Sequence, residues 1–283
     1  CEKLNTKQNI SLRENPDVDA KTHVKITTGK AENKFGIEFD YIKSMYEIAS
    51  KLSNVNIIGI SVHIGSQITN LKPFKKAFQI IYDLINDLRS LGHKIKHVDL
   101  GGGLGVTYSD DDNVPTFKEY ASLIQSIFGN LNIEVYIEPG RLLVANSGLL
   151  VTRVIDIKTT SQKTFVIVDA AMNDFIRPTL YNSYHEILPV KNNLGTSNKL
   201  YDIVGPICET GDYFAKNRNM NSVQVGSLIA IKSVGAYGSV LSSNYNSRPQ
   251  IAEIIVQNDK YEVIRERVEV KDMLTRERIA NWL

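Results

Sequence analysis

The 283-residue sequence is 42% hydrophobic and 23% charged, an ordinary balance for a globular chain that buries a core without disulfides or metals. Its 33 basic and 31 acidic side chains nearly cancel, which removes the electrostatic argument for a nucleic-acid or membrane partner, and no window approaches the ~18 consecutive apolar residues of a membrane span. Two cysteines, Cys1 and Cys208, exclude a disulfide framework and point to a reducing, cytoplasmic setting; the first residues carry neither an apolar signal segment nor an initiator Met, so a longer parent chain is expected.

The first half alternates strands with amphipathic helices. After Phe35-Gly36, the residues Ile42, Met45, Tyr46, Ala49 and Leu52 recur at helical spacing. Residues 55–63 read as a buried strand ending in His63-Ile64-Gly65-Ser66. A long helix follows, with Phe74, Ala77, Phe78, Ile81, Leu84, Ile85 and Leu88 as its apolar stripe and Gly92 as its stop. Residues 97–100 form a short strand running into Gly101-Gly102-Gly103-Leu104-Gly105. A helix over 117–128 is expected to turn Tyr120, Ala121, Ile124 and Ile127 inward, and a strand over 133–137 ends in Glu138-Pro139-Gly140-Arg141. Such alternation predicts a parallel sheet with crossover helices. From about Ser147 the pattern changes to strands, over 149–157, 164–169, 201–207, 227–233, 251–256 and 261–266, with a loop at 192–198 and few helices.

Polar or glycine-rich clusters thus follow three successive strand ends, where parallel βα folds place their sites. The glycine run can cradle phosphate through its N–H groups or can merely turn the chain; it lacks the dinucleotide fingerprint, since Val106 stands where a third glycine belongs. Glu138 can hold a protonated ring nitrogen or pair with Arg141. His63 can serve as an acid/base, stack on a ring, or be structural. Cys208-Glu209 can supply a proton donor and a cation receptor, or Cys208 can be an inert thiol. His93 and His97 have no third ligand nearby, and Asp110-Asp111-Asp112 lacks the glycine and distal acid of a calcium loop, so no metal is expected.

His63-Ile64-Gly65-Ser66-Gln67, Gly101-Gly102-Gly103, Glu138-Pro139-Gly140-Arg141, Cys208-Glu209-Thr210-Gly211-Asp212 and Ala236-Tyr237-Gly238 occur in one order. With Arg13–Val18, Asn33–Gly36, Phe175–Tyr181 and Arg248-Pro249-Gln250, that series resembles the pyridoxal-phosphate-dependent decarboxylases that share the barrel of alanine racemase, and within them the branch acting on diaminopimelate in bacterial lysine synthesis. The resemblance implies the C-terminal half of a (β/α)8 TIM-like barrel over residues 1–146, followed by a β-rich domain over 147–283. It implies that His63 stacks on the pyridoxal 5'-phosphate ring. Ser66, Gly101, Gly102, Gly103, the backbone of the Pro139-Gly140-Arg141 turn and Tyr237 would hold the phosphate, and Glu138 the pyridinium nitrogen. Cys208 would return the proton that replaces the carboxylate, with Cys208 and Glu209 contributed across a homodimer interface.

For the substrate, meso-diaminopimelate, a distal carboxylate suits planar arginine forks, which the motif match assigns to Arg141 and Arg177, while Glu209 takes the distal amine and Tyr181 and Tyr237 assist. Rival readings are a carboxy-lyase of the same group acting on another diamino acid or on carboxynorspermidine, and a non-catalytic regulatory relative. One departure matters. The family's Schiff-base lysine lies in a Val-Lys-Ala-Asn-like segment that this sequence lacks; Lys25, in Val24-Lys25-Ile26-Thr27, aligns elsewhere and receives no role. The chain by itself is therefore expected to lack about half the barrel and to be inactive.

Overall fold

The computed structural model describes residues 1–20, 28–30, 32–191 and 198–283; Lys25 and most of the expected 192–198 loop lie outside them. It divides into two compact units, Cys1–Val144 and Ala145–Leu283.

The first unit contains β1 (Gln8–Asn15), β2 (Ile37–Glu38), α1 (Phe39–Ser50), β3 (Val55–Val62), α2 (Leu71–Ser90), β4 (His97–Asp99), α3 (Phe117–Phe128), β5 (Glu134–Tyr136) and the single turn α4 (Arg141–Val144). Its five strands form one parallel sheet in the order β2-β1-β3-β4-β5. The α2 stripe is buried as its spacing predicts. Asn70 opens the helix by accepting the Lys72 N–H at 2.8 Å, and Gly92, at φ +90°, turns the chain just beyond its end. The α3 start is a reciprocal capping box between Thr116 and Glu119.

Three inward assignments fail at the margins of their helices. Ala121 is exposed while Phe128 joins the core, because Tyr120, Ile127 and Phe128 define the buried arc and Ala121 lies a full residue step off it. Met45 sits at the flank of the Ile42-Tyr46-Ala49 face, and Leu52 lies beyond the end of α1 at Ser50.

About four strands were expected before the β-rich half, and five are present among the described residues. Three of them are the strands located in the sequence; the additions are the two-residue β2 and β1, whose polar end disguises it. Glu14 is only 1% exposed, among the described residues neither carboxylate oxygen has a hydrogen-bond partner, and burial pushes its pKa up to about 8.

The second unit holds β6 (Leu149–Thr159), β7 (Thr164–Val168), α5 (Arg177–Tyr181), β8 (Ile187–Pro189), β9 (Asn198–Val204), β10 (Tyr213–Asn221), β11 (Leu228–Lys232), the hairpin β12 (Glu253–Gln257) and β13 (Lys260–Arg265), and the short α6 (Val270–Met273). The sheet order is β10-β9-β7-β6-β11-β8, antiparallel except between β7 and β9. Val154, Val166, Phe175, Ile203, Phe214 and Ile231 centre its core. Strand β10 escapes sequence reading because two register shifts and a left-handed Asn217 (φ +50°) break its alternation. No described helix is long and apolar enough to cross a membrane.

Candidate active site

Strands β3, β4 and β5 are adjacent, with Ser61, Asp99 and Tyr136 in register, so the three polar clusters that follow them emerge side by side. Backbone bonds then tie them together. Glu138 N–H donates to the Gly101 carbonyl at 2.7 Å, and Ile68 N–H to the Gly103 carbonyl at 2.9 Å. Gln67 clamps Val106 from both sides: its Nε2 donates to the Val106 carbonyl (2.6 Å) and its Oε1 accepts the Val106 N–H (3.1 Å). The approach is close enough to require glycine. Gly101 and Gly103 are left-handed (φ +67° and +95°), and a Cβ at Gly102 would run into the Glu138 carbonyl.

These contacts divide the labour among the three glycines. Gly101 N–H is taken by Asp99 Oδ1 at 2.8 Å, and Gly102 N–H by His63 Nδ1 at 3.1 Å. Among the described residues the Gly103 N–H has no protein partner in this web. The first two glycines shape the loop; the third presents a donor.

His63 is fixed by the same web. Because Nδ1 accepts from Gly102, the neutral ring carries its proton on Nε2. Burial, and next the Arg13 guanidinium, hold its pKa below the usual imidazole value, with Asp99 opposing. Arg13 Nη2 also donates to the His63 carbonyl at 3.2 Å. Burial lowers the pKa of Arg13 in turn, while Glu138 and Asp99 raise it. Sequence reasoning missed Arg13 and Asp99 as parts of this site, though Arg13 opens the Arg13–Val18 motif and Asp99 lies two residues before Gly101.

The remaining expected residues of this unit are more varied. Ser66 and Pro139 are half-buried, whereas Glu138 and Gly140 are exposed. Arg141, on α4, is buried, and its Nη1 donates to the Tyr108 hydroxyl at 2.5 Å. Tyr108 was not foreseen; no local motif marks it. His97, once weighed as a metal ligand, meets the Ser11 hydroxyl at 2.6 Å, and among the described residues no group of three or more His, Cys, Asp or Glu is arranged for a metal.

In the second unit, Cys208 and Glu209 stand exposed on a loop pinned by buried Asp212. Asp212 accepts the N–H groups of Ile207 and Met172, both at 2.7 Å; burial raises its pKa, and those two donors oppose the rise. Thr179 on α5 donates to the Gly211 carbonyl at 2.5 Å. Arg177 begins α5, buried, with Nη1 3.4 Å from His185 Nε2, and Tyr181 ends it half-buried. Tyr237 is partly exposed with φ +56°, a backbone state that a bulky side chain rarely adopts and that marks functional positions more often than chance.

Known proteins supply the wider frame. The family described as pyridoxal-dependent decarboxylase, pyridoxal binding domain, matches residues 1–145. The chain is 48% identical to the diaminopimelate decarboxylase of Zymomonas mobilis over 281 residues, which is 99% of this chain and 66% of that protein. It is similar to the crystal structure of Helicobacter pylori diaminopimelate decarboxylase complexed with L-lysine, at TM-score 0.91 and 40% identity, covering 96% of this chain and 68% of that one. The M. jannaschii diaminopimelate decarboxylase in co-complex with L-lysine gives TM-score 0.92 at 35% identity, covering 100% and 66%. The chain spans about two thirds of the length of these relatives. With a family match over half its residues and such identity over nearly all of them, the chain belongs to the pyridoxal-dependent decarboxylases.

Proposed function

We propose that this chain forms the cofactor-phosphate cradle and the substrate-facing loops of a decarboxylase converting meso-diaminopimelate to L-lysine and carbon dioxide. The carrying observation is the bonded web after β3, β4 and β5, which leaves the Gly103 N–H available and His63 neutral. A donor held by two partnered glycines fits an anionic phosphate. The similarity to diaminopimelate decarboxylases supplies the substrate.

In this reading the parallel sheet of the first unit is the second half of a (β/α)8 barrel. Ser66, Gly103, the backbone of Gly140 and Arg141, and the Tyr237 hydroxyl hold the phosphate of pyridoxal 5'-phosphate. Gly101 and Gly102 act one step back, ordering Gly103. His63 stacks as a neutral ring, its proton on Nε2, and Glu138, at the Pro139 turn, would accept a hydrogen bond from the pyridinium N–H and so keep that nitrogen protonated. Pyridoxal phosphate, when bound, supplies the sink for the electron pair left as carbon dioxide departs. Cys208 delivers the replacing proton from sulfur. Glu209 receives the distal ammonium of the substrate, and Arg141 and Arg177, with Tyr181 and Tyr237, receive its distal carboxylate. The working form is a homodimer in which Cys208 and Glu209 cross the interface.

The sequence has no Val-Lys-Ala-Asn segment, so no Schiff-base lysine is assigned, and the 283-residue chain by itself makes no lysine. The test is turnover by an enzyme carrying this chain at the full length of its relatives, offered diaminopimelate, ornithine and carboxynorspermidine. Release of carbon dioxide from diaminopimelate well above the others is expected, with Arg177→Met abolishing that preference. Equal or greater turnover of ornithine would sink the assignment.

A further inference from the structure

Opposite the Cys208–Glu209 loop lies a second surface turn, residues 245–247, that no role has yet explained. Tyr245 donates its hydroxyl proton to Glu209 Oε2 at 2.6 Å, and Asn246 points its Nδ2 at Cys208 Sγ, 3.5 Å away. Two consecutive residues of one turn therefore address two consecutive residues of the other.

The turn holds an unfavourable shape to do so. Asn246 and Ser247 are both left-handed, at φ +56° and +54°. Asparagine tolerates that state; serine does so less readily. Both ends are anchored. Ser243 N–H donates to the Asn173 carbonyl at 2.9 Å. Arg248 Nε donates to Asn173 Oδ1 at 2.9 Å, and its Nη2 to the Asp169 carbonyl at 2.6 Å. Asn173 and Asp174 are themselves buried, and Asp174 accepts the Ala171 N–H at 2.9 Å. The opposing loop is fixed independently through Asp212. Two rigidly mounted turns thus face each other through exposed side chains, an expensive way to make two ordinary surface hydrogen bonds.

We infer that Tyr245 and Asn246 are positioning residues for the Glu209–Cys208 pair: Tyr245 fixes the Glu209 carboxylate and Asn246 fixes the Cys208 sulfur. The inference deepens the function proposed above and rests on it for the meaning of the pair, though not for the contacts. The Tyr245 phenol has its pKa raised, chiefly by this hydrogen bond to Glu209 and then by the carboxylate's charge, so it stays a donor. It leaves Glu209 a second oxygen for a cation. An amide N–H aimed at sulfur steadies the anion that forms when Cys208 gives up its proton.

Two measurements test this. The first is iodoacetamide alkylation of Cys208 in a Cys1→Ser background, which needs no turnover. Asn246→Gly keeps the left-handed backbone and removes the amide, and is expected to slow alkylation about threefold. Asn246→Asp sets a carboxylate beside the sulfur and should slow it further; Tyr245→Phe should leave it unchanged. Unchanged or faster alkylation in both Asn246 variants overturns the sulfur half.

The second measurement is steady-state kinetics of the full-length enzyme on diaminopimelate. Tyr245→Phe is expected to raise KM about three- to tenfold with kcat retained, and Asn246→Gly to lower kcat about threefold with KM retained. A uniform loss in both constants, or none, overturns the positioning roles. Absence of turnover in the wild type would instead overturn the function reading while the alkylation result stands. Thermal melting of each variant checks that the fold is intact.

Discussion

Between the loops after β3, β4 and β5 and the loop bearing Cys208 and Glu209, the difference lies in which atoms do the holding. The first set is tied mainly by main-chain groups. Gly101 meets Glu138, Gly103 meets Ile68, and the glycines allow an approach that any side chain would block. The second is tied by side chains: Asp212 from beneath, Tyr245 and Asn246 from the facing turn. Main-chain mounting tolerates almost no substitution and suits a cradle for an invariant group such as phosphate. Side-chain mounting can be retuned one residue at a time and suits the role proposed for Glu209 as a substrate contact.

The largest effect that could break this comparison is expected at Gly102. Its Cβ would strike a carbonyl, not a flexible side chain, so Gly102→Ala should destabilise the first unit by about 3 kcal/mol and remove pyridoxal phosphate binding. Denaturant unfolding and cofactor fluorescence measure both; tolerance of alanine would mean that the cradle is not backbone-limited.

Next comes Glu14, where burial works against the fold. Because its folded pKa is raised to about 8, the native state holds a proton that the unfolded chain releases from the ordinary carboxylate range upward. Stability should therefore be greatest in acid and decline as pH rises towards about 8. Glu14→Gln removes the titration and should gain about 2–3 kcal/mol at pH near 8, with no gain below about pH 4. A pH-independent difference between the two proteins would show that Glu14 does not titrate in this window.

Asp212 probes the second region. Asp212→Ala strands two buried N–H groups, Ile207 and Met172, at a cost of about 2 kcal/mol, and should loosen Cys208, read as faster proteolysis of the 205–212 loop. Unaltered cleavage would transfer the mounting of that loop to the facing turn.

The smallest effect belongs to His63. Its lowered pKa means that the unfolded state takes up the proton first, so stability falls as pH drops below about 6.5. Protonation also turns the acceptor towards Gly102 into a donor. His63→Asn should flatten that acid limb; an unchanged limb would assign it to other groups.

Much of this is legible in the sequence. The α2 stripe of seven residues matched its buried face, because a wide apolar arc has only one way to face a sheet. The ordered motifs located the loops that the fold brings side by side. What escaped were β2 and β8, two and three residues long and too short to show a period, and elements whose pattern is broken for a local reason: β1 with a buried acid, and β10 with its register shifts. Tyr108, Tyr245 and Asn246 escaped because each acts on a residue more than thirty positions away in the chain.

The sequence by itself determined the alternation of strands and helices, the change to β structure near Ser147, the family, and the nearly neutral charge. Those properties are written in periodicity and in motif order. Only the tertiary structure decided which of three glycines keeps its N–H available, which nitrogen of His63 bears the proton, and which turn faces Cys208 and Glu209. Each depends on a hydrogen bond between residues distant in the chain, and the geometry of such a bond is set by packing.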